Sequence, residues 1–424
     1  MMARGLGRMI SWVSSAILLT AAILTGLSPI AVAQGSGPRW TGTWATSPVR
    51  DNSGKRFNQQ TLRQIVHTSI GGNTARIQVS NVFGTQPLTI ADVHIAQTDR
   101  DASIVAATDR PIHFHGQDTV TIQPGITILS DPIDFHVQPL ADISISMYLP
   151  KPTGSITYHP SGFQTNYIAD GDVSSNTDLS QAKATQSYYF LTDLEIQGQD
   201  VSGSVVTFGA SITDGYHSVP DTNRRWPNDL AKRLVDAGMS VGVLNQGISG
   251  NRLLLPGAGE SAQTRFDRDV LSQPGVHWVI FADDPINDLG TTQDPDAGVK
   301  LIAAMKRLIS RAHQRGIRFY CSTLTPYQGA GYWTEQGEVA REQINAFIRT
   351  HGSGCDAIID QAAATHDPAH PTRYLPAFDS GDHLHPNTDG LQAIANAIDL
   401  SLFLPAPDEH AVRQTPNHTM APVR

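Results

Sequence analysis

Val205-Val-Thr-Phe-Gly-Ala-Ser-Ile-Thr-Asp-Gly215 decides how this chain is read. The apolar run Val205, Val206 and Phe208 closes on Gly209-Ala210-Ser211, with Gly215 soon after. A β-branched run ending in small residues is how a buried parallel strand meets its turn. Ser211 then sits at the carboxyl end of a strand, where open α/β sheets place their ligands. Taken alone, Gly-x-Ser is equally an ordinary turn, so the reading has to be carried by the rest of the chain.

Downstream of Ser204 the pattern repeats. Strand-like runs are expected at Ser204–Phe208, Val241–Leu244, Trp278–Ala282, Ile317–Thr323 and Ala357–Ile359, with helical stretches between them. The clearest helix spans Asp296–Arg315, with Val299, Ile302, Met305, Leu308, Ile309 and Ala312 as its apolar stripe and Gly316 as its stop. Arg225–Ala237, Thr334–Thr350 and Asp389–Leu402 are helical in pattern as well. Alternating strands and helices predict an α/β fold with a parallel sheet covered on both faces.

Upstream, from Trp40 to about Gln197, the rhythm is different. Thr74-Ala-Arg-Ile-Gln-Val-Ser-Asn-Val82 alternates polar and apolar side chains. Leu88–Ala96, Thr119–Ile122, Ile126–Leu129, Asp142–Leu149 and Tyr188–Ile196 have the same character, punctuated by glycine and proline turns. Such a series predicts an antiparallel, jelly-roll-like β-sandwich. His113 and His115 share one side of a possible strand, but with no third ligand nearby they read as surface or packing residues.

The ends are read apart from the fold. Arg4 and Arg8 precede an apolar stretch, Ile10 to Leu27, that ends in Ala31-Val32-Ala33. This describes a secretory signal peptide with a mature start at Gln34, and the serines and threonines in the run argue against a membrane anchor. The expected organisation is therefore a signal peptide at 1–33, a β-sandwich accessory domain at 34–200, a catalytic domain at 201–404 and a loose tail at 405–424. The tail holds a glycosylation sequon at Asn417-His418-Thr419. The expected localisation is extracellular or periplasmic, with no lasting membrane anchor.

Of 424 residues, 40% are hydrophobic and 16% charged, with a formal charge of −9. An acidic surface gathers phosphates poorly, so nucleic acid is not an expected partner. Cys321 and Cys355 either pair, as an exported chain allows, or sit as small buried apolar residues.

Three further loops follow the expected strands: Asn245-Gln-Gly-Ile-Ser-Gly250-Asn-Arg252, Asp283-Asp-Pro-Ile-Asn287-Asp-Leu-Gly290 and Asp379-Ser-Gly-Asp382-His-Leu-His385-Pro386. In a parallel sheet they share one edge with Ser211. Together the four stretches resemble the four sequence blocks of the SGNH, or GDSL-type, hydrolase superfamily, over about Ser204–Leu404. Trp40-Thr-Gly-Thr-Trp44 and Asn81-Val-Phe-Gly84 are similar, more loosely, to the β-rich region of its multidomain secreted members.

The resemblance implies a flavodoxin-like α/β/α sandwich with a five-stranded parallel sheet, acting as a carboxylic ester hydrolase with no cofactor and no metal. It assigns Ser211 as nucleophile, His385 as base and Asp382 as the group that holds the imidazole. The backbone N–H groups of Ser211 and Gly250 and the side chain of Asn287 form the oxyanion hole. The chemistry fits, because a serine hydroxyl needs a base and the tetrahedral oxyanion needs preorganised donors. Away from the serine, Asp382 reads as a helix cap, His385 as a surface residue, Gly250 as a turn glycine and Asn287 as a loop asparagine. Thr213, Asp214 and Arg252 either support the site or cap and solvate, and Asp288 is expected to shape its loop.

Two departures stand out. The family commonly has Asp before the serine, where this chain has Ala210, so a polar contact in the nucleophile loop is expected to be missing. It commonly has Gly where this chain has Pro285, after Asp283-Asp284, which removes a donor. The expected substrate is a small-molecule or carbohydrate ester with a short acyl group, acetyl included, since no long apolar lid is visible. The alternatives are a lipase or phospholipase of the same fold, and a glycan-binding protein with a decayed hydrolase domain.

Overall fold

The computed structural model describes residues 39–290 and 292–404; the expected signal peptide, tail and sequon lie outside them. No helix among the described residues is long and apolar enough to cross a membrane.

The second half of the chain is built on five parallel strands. Their spatial order is Val241–Gly247, Gly203–Gly209, Val276–Phe281, Arg318–Ser322, Ala357–Ile359. In sequence terms the order is 2-1-3-4-5, the flavodoxin-like arrangement, and its direction switches between the strand that ends at Gly209 and the strand that ends at Phe281. In such sheets the carboxyl edge at the switch point is where ligands bind.

Helices cover both faces. Trp226–Asp236 starts with Pro227 in its first turn, where no N–H is needed, and buries Trp226, Leu230 and Leu234. Ala297–His313 buries Leu301, Ala304, Met305, Leu308, Ile309 and Ala312. Val299, expected in that stripe, is 56% exposed, because the 3.6-residue period runs through Leu301 and places Val299 off the face. Glu335–Arg349 is capped by Thr334, whose hydroxyl accepts the Gly337 N–H. The last helix is Thr388–Asn396, shorter than expected, and a separate 3₁₀ turn, Leu400–Phe403, follows it. Cys321 and Cys355 form a disulfide between the fourth strand and the turn before the fifth.

The first half is a pair of antiparallel sheets of five and eight strands, consistent with a β-sandwich. Their inward residues, Ala75, Ile77 and Val79 from one sheet and Ile143, Ile145 and Met147 from the other, share a core. The alternation in Thr74–Val82 is this inward and outward pattern. Arg63, wholly buried, is satisfied by Ser146 and the carbonyls of Ala102, Ser174 and Asn176.

The halves meet along a polar seam. Strand Thr41–Ala45 lies over the outer parallel strand Val241–Gly247, at a glycine-to-glycine approach. A Cβ on Gly242 would stand 2.1 Å from the Gly42 carbonyl, and one on Gly42 would stand 2.8 Å from Leu244. Ser69 Oγ accepts the Val243 N–H at 2.9 Å. His159, from the antiparallel half, is buried with Nδ1 at 2.9 Å from the Ser47 carbonyl and Nε2 at 3.0 Å from Asp214. With an acceptor at each nitrogen the ring is held as the cation. Burial opposes that charge, and Asp214 and the Ser47 carbonyl raise the pKa of His159 above the ordinary imidazole value in spite of it.

Candidate active site

Ser211 opens a single helical turn, Ser211–Asp214, directly after the first parallel strand. Its N–H lies in a first turn, where amides lack intrahelical acceptors. Its Oγ is 2.8 Å from His385 Nε2, and His385 Nδ1 is 2.6 Å from Asp382 Oδ2. Asp382 Oδ1 accepts the backbone N–H groups of Leu384 and His385 at 2.9 Å each. The three-residue spacing thus folds into a tight turn that fixes the carboxylate at one oxygen and leaves the other for the imidazole. Burial alone would raise Asp382, but the His385 ring and these amides pull it well below the ordinary carboxylate range. Burial lowers His385 below the ordinary imidazole value, and the Asp382 bond only partly restores it. A neutral His385 beside an ionised Asp382 is the protonation state in which Nε2 can take a proton from Ser211.

His383, the neighbouring imidazole, is turned away, with Nδ1 on Asp379 at 2.5 Å and a positive φ of 62°. His217 was not singled out in the sequence, yet its Nε2 lies 3.3 Å from Asp382 Oδ2, the oxygen that holds His385. His217, Asp382 and His385 are the one group of three potential metal ligands close enough to share an ion among the described residues. Tyr216 packs against the His385 ring, tilted at 55° with centroids 4.7 Å apart, and Phe163 of the antiparallel half packs edge-on against Tyr216. His113, by contrast, pairs with Asp118 far along the chain from this site.

Gly250 has φ +80° and is exposed at the tip of its loop. Asn287 lies on helix Asp284–Leu289; its Nδ2 donates to the Asn251 carbonyl at 2.8 Å, and Tyr332 donates to its Oδ1 at 3.2 Å. An amide nitrogen carries two hydrogens, and the bond to Asn251 uses one. Asp288 accepts the N–H groups of Leu253 and Leu254, tying the loop of Asn287 to that of Gly250. Burial pushes it up to about 6. This is the loop-shaping part expected of it. Asp214 accepts from Ser249 with one oxygen and faces His159 with the other, and Arg252 is exposed.

Both departures have a structural setting. Pro285 occupies the first turn of helix Asp284–Leu289, where its missing N–H has no intrahelical acceptor to lose. The contact absent at Ala210 is present from elsewhere: Asp283 accepts the Ile212 N–H at 2.8 Å and the Thr213 hydroxyl at 2.5 Å. Asp284 is also fully buried. Burial pushes it up to about 7, with Arg265 pulling down and Asp283 and Asp288 adding to the rise.

Arg265 holds these loops together from beneath. Its side chain is fully buried and donates to Asn251 Oδ1, Ser47 Oγ, the carbonyls of Gln246 and Gly209, and the carboxylates of Asp269 and Asp284. The guanidinium also lies 4.0 Å from the centre of the Phe208 ring. No sequence signal marks it, because its partners come from five separate segments.

Among curated proteins no relative matches the chain. Several solved structures are similar to it. One described as lipolytic, of the G-D-S-L family, from Desulfitobacterium hafniense DCB-2 is 21% identical over 48% of this chain and 99% of its own, with a TM-score of 0.37. The lipase/acylhydrolase from Enterococcus faecalis is 17% identical over 46% of this chain and 92% of its own, with a TM-score of 0.34. An acetyl xylan esterase is 18% identical over 46% and 96%, also with a TM-score of 0.34. Residues 207–393 match the model of the GDSL-like lipase/acylhydrolase family. That stretch holds Ser211, Gly250, Asn287, Asp382 and His385, and its match supports the SGNH/GDSL superfamily for this part of the chain.

Proposed function

We propose that the protein is a secreted serine esterase that cleaves carboxylic esters through an acyl-enzyme on Ser211. The observation that carries the reading is the continuous relay from Ser211 Oγ through His385 to Asp382, at 2.8 and 2.6 Å. In this mechanism Ser211 Oγ attacks the acyl carbon while His385 Nε2 takes its proton. Asp382 stabilises the imidazolium, which then protonates the leaving alcohol. Water, deprotonated by the same nitrogen, releases the acid. The oxyanion is received by the N–H groups of Ser211 and Gly250 and the second Nδ2 hydrogen of Asn287; loss of one such donor typically costs about a hundred- to thousandfold in turnover.

Short acyl groups, acetyl on carbohydrate among them, are the preferred substrates in this reading. The residues against the His385–Asp382 pair are Tyr216 and His217, polar or aromatic, rather than a run of aliphatic side chains. The Cys321–Cys355 disulfide supports export, since such bonds persist in oxidising compartments. The test is hydrolysis of p-nitrophenyl esters, acetate through long-chain, by wild type and Ser211→Ala. Turnover confined to wild type and falling with chain length supports the proposal. A long-chain optimum favours a lipase, and binding to polysaccharide without turnover favours a glycan-binding protein.

A further inference from the structure

The nucleophile turn has an unusual foundation. Ala210, wholly buried, brings no polar atom to it. The acceptor for the turn is Asp283, from a loop 71 residues away, with Oδ2 on the Ile212 N–H and Oδ1 on the Thr213 hydroxyl. Space is reserved for it: a Cβ on Gly209 would lie 2.2 Å from Thr213 Oγ1 and 2.3 Å from Asp283 Oδ1. The residue also stands at the N-cap of helix Asp284–Leu289, and its own carbonyl accepts the Ile286 N–H one residue before Asn287. Next to it, Ala282 N–H donates to Phe208 O, so the two loops leave their strands in register. One carboxylate therefore touches the turn that carries Ser211 and begins the helix that carries Asn287.

We propose that Asp283 is a positioning residue that sets Ser211 and Asn287 at a fixed separation, supplying from the third loop the carboxylate that position 210 lacks. The inference rests on Ser211 being the nucleophile. A carboxylate at the N-terminus of a turn satisfies donors that the turn cannot satisfy itself and complements its dipole. Burial raises Asp283 above the ordinary carboxylate range, and the donors at Thr213, Ile212 and Ala210 oppose that rise. Those donors all belong to the nucleophile turn. Removing the carboxylate releases the turn that carries Ser211 and leaves the bond between His385 and Asp382 intact.

The experiment compares wild type with Asp283→Asn, Thr213→Val, Asp283→Ala and Asp283→Ala/Ala210→Asp. For each, active sites are titrated with a p-nitrophenyl phosphonate, kcat and KM are measured on a short-chain ester, and the melting temperature is recorded. For Asp283→Asn the expected result is a kcat lower by about 10- to 100-fold with KM unchanged, since small misplacements of reacting groups cost that much. Phosphonylation of Ser211 slows in parallel, because it reports the same serine without the ester. Returning a carboxylate at position 210 restores most of the kcat lost in Asp283→Ala. A folded Asp283→Asn with wild-type kcat per titrated site overturns the inference and leaves the esterase reading standing. If Asp283→Asn does not fold, Thr213→Val decides, since it removes one bond and keeps shape: lowered kcat at unchanged melting temperature supports the inference, and unchanged kcat overturns it. Wild type without Ser211-dependent turnover refutes the function itself.

Discussion

Replacing Arg265 with Met removes a buried cation from among six acceptors while keeping most of the side chain's volume. The pair it makes with Asp269 is fully buried, and Arg268 remains as a second partner for that carboxylate. Among the described residues Asp284 pairs with no other cation, and its Oδ2 has no hydrogen-bond partner. Breaking a buried charge network from one side costs about 3–5 kcal/mol, a large share of the stability of an ordinary domain. The dependence on pH is more discriminating than the size. Asp284 is raised from 3.8 to about 7 in the folded protein, so in wild type this group withdraws stability as pH climbs between those values. Arg265 lowers the Asp284 pKa, so without it the folded pKa moves higher still. Above about pH 7 wild-type Asp284 has released its proton and the variant has not. The stability gap then widens by up to about 1.4 kcal/mol per pH unit. Urea unfolding of wild type and Arg265→Met, followed by tryptophan fluorescence at a series of pH values, measures both quantities. A gap below about 1 kcal/mol at pH 6, or one that stays flat through pH 8.5, refutes the reasoning.

Two other outcomes follow from the geometry. His385 is held low chiefly by burial and further by the charge of His217, so His217→Gln moves its pKa upward. The acid limb of kcat/KM then shifts to higher pH, and an unmoved limb would show that His217 does not act on the imidazole. The Cys321–Cys355 bond closes a 34-residue separation, which constrains the unfolded chain by about 3.8 kcal/mol. The Cys321→Ser/Cys355→Ser protein should lose roughly that in urea unfolding, and an unchanged midpoint would contradict it.

The site was legible where it follows the local pattern of a strand ending in a polar loop. Ser211, Asp382 and His385 each sit just past an apolar run or inside a compact turn, and the structure joins these three by hydrogen bonds. The helices were legible where their stripes are long, and Val299 misled because it shares the apolar character of the stripe without its angle. What escaped reading was held by distant partners. Arg265 bonds Ser47 across 218 residues and Asp284 across 19, and His159 meets Asp214 across 55. No periodicity records such pairs. Position 210 is apolar, and the carboxylate that touches the nucleophile turn comes instead from the loop of Asn287, a pairing 71 residues apart that no local pattern records. The strands of the first half were readable one by one. Their pairing was not, since register between strands as far apart as Thr41–Ala45 and Leu191–Gln197 is set by the shared core.

The seam where Thr41–Ala45 overlies Val241–Gly247 bears on how such a protein can be inherited or engineered. The outer strand of a parallel sheet offers unpaired N–H and C=O groups, a template for intermolecular pairing and aggregation. Here Ser69 satisfies the Val243 amide and Gly42 sits flush on Leu244, so the first half acts as a guard rail on the second. A hydrolase half excised at residue 203 exposes that edge and also loses Phe163, His159 and Ser47, which support Tyr216, Asp214 and Arg265 beside the site. Swapping the β-rich half between relatives therefore requires the glycines at 42 and 242 to travel as a pair.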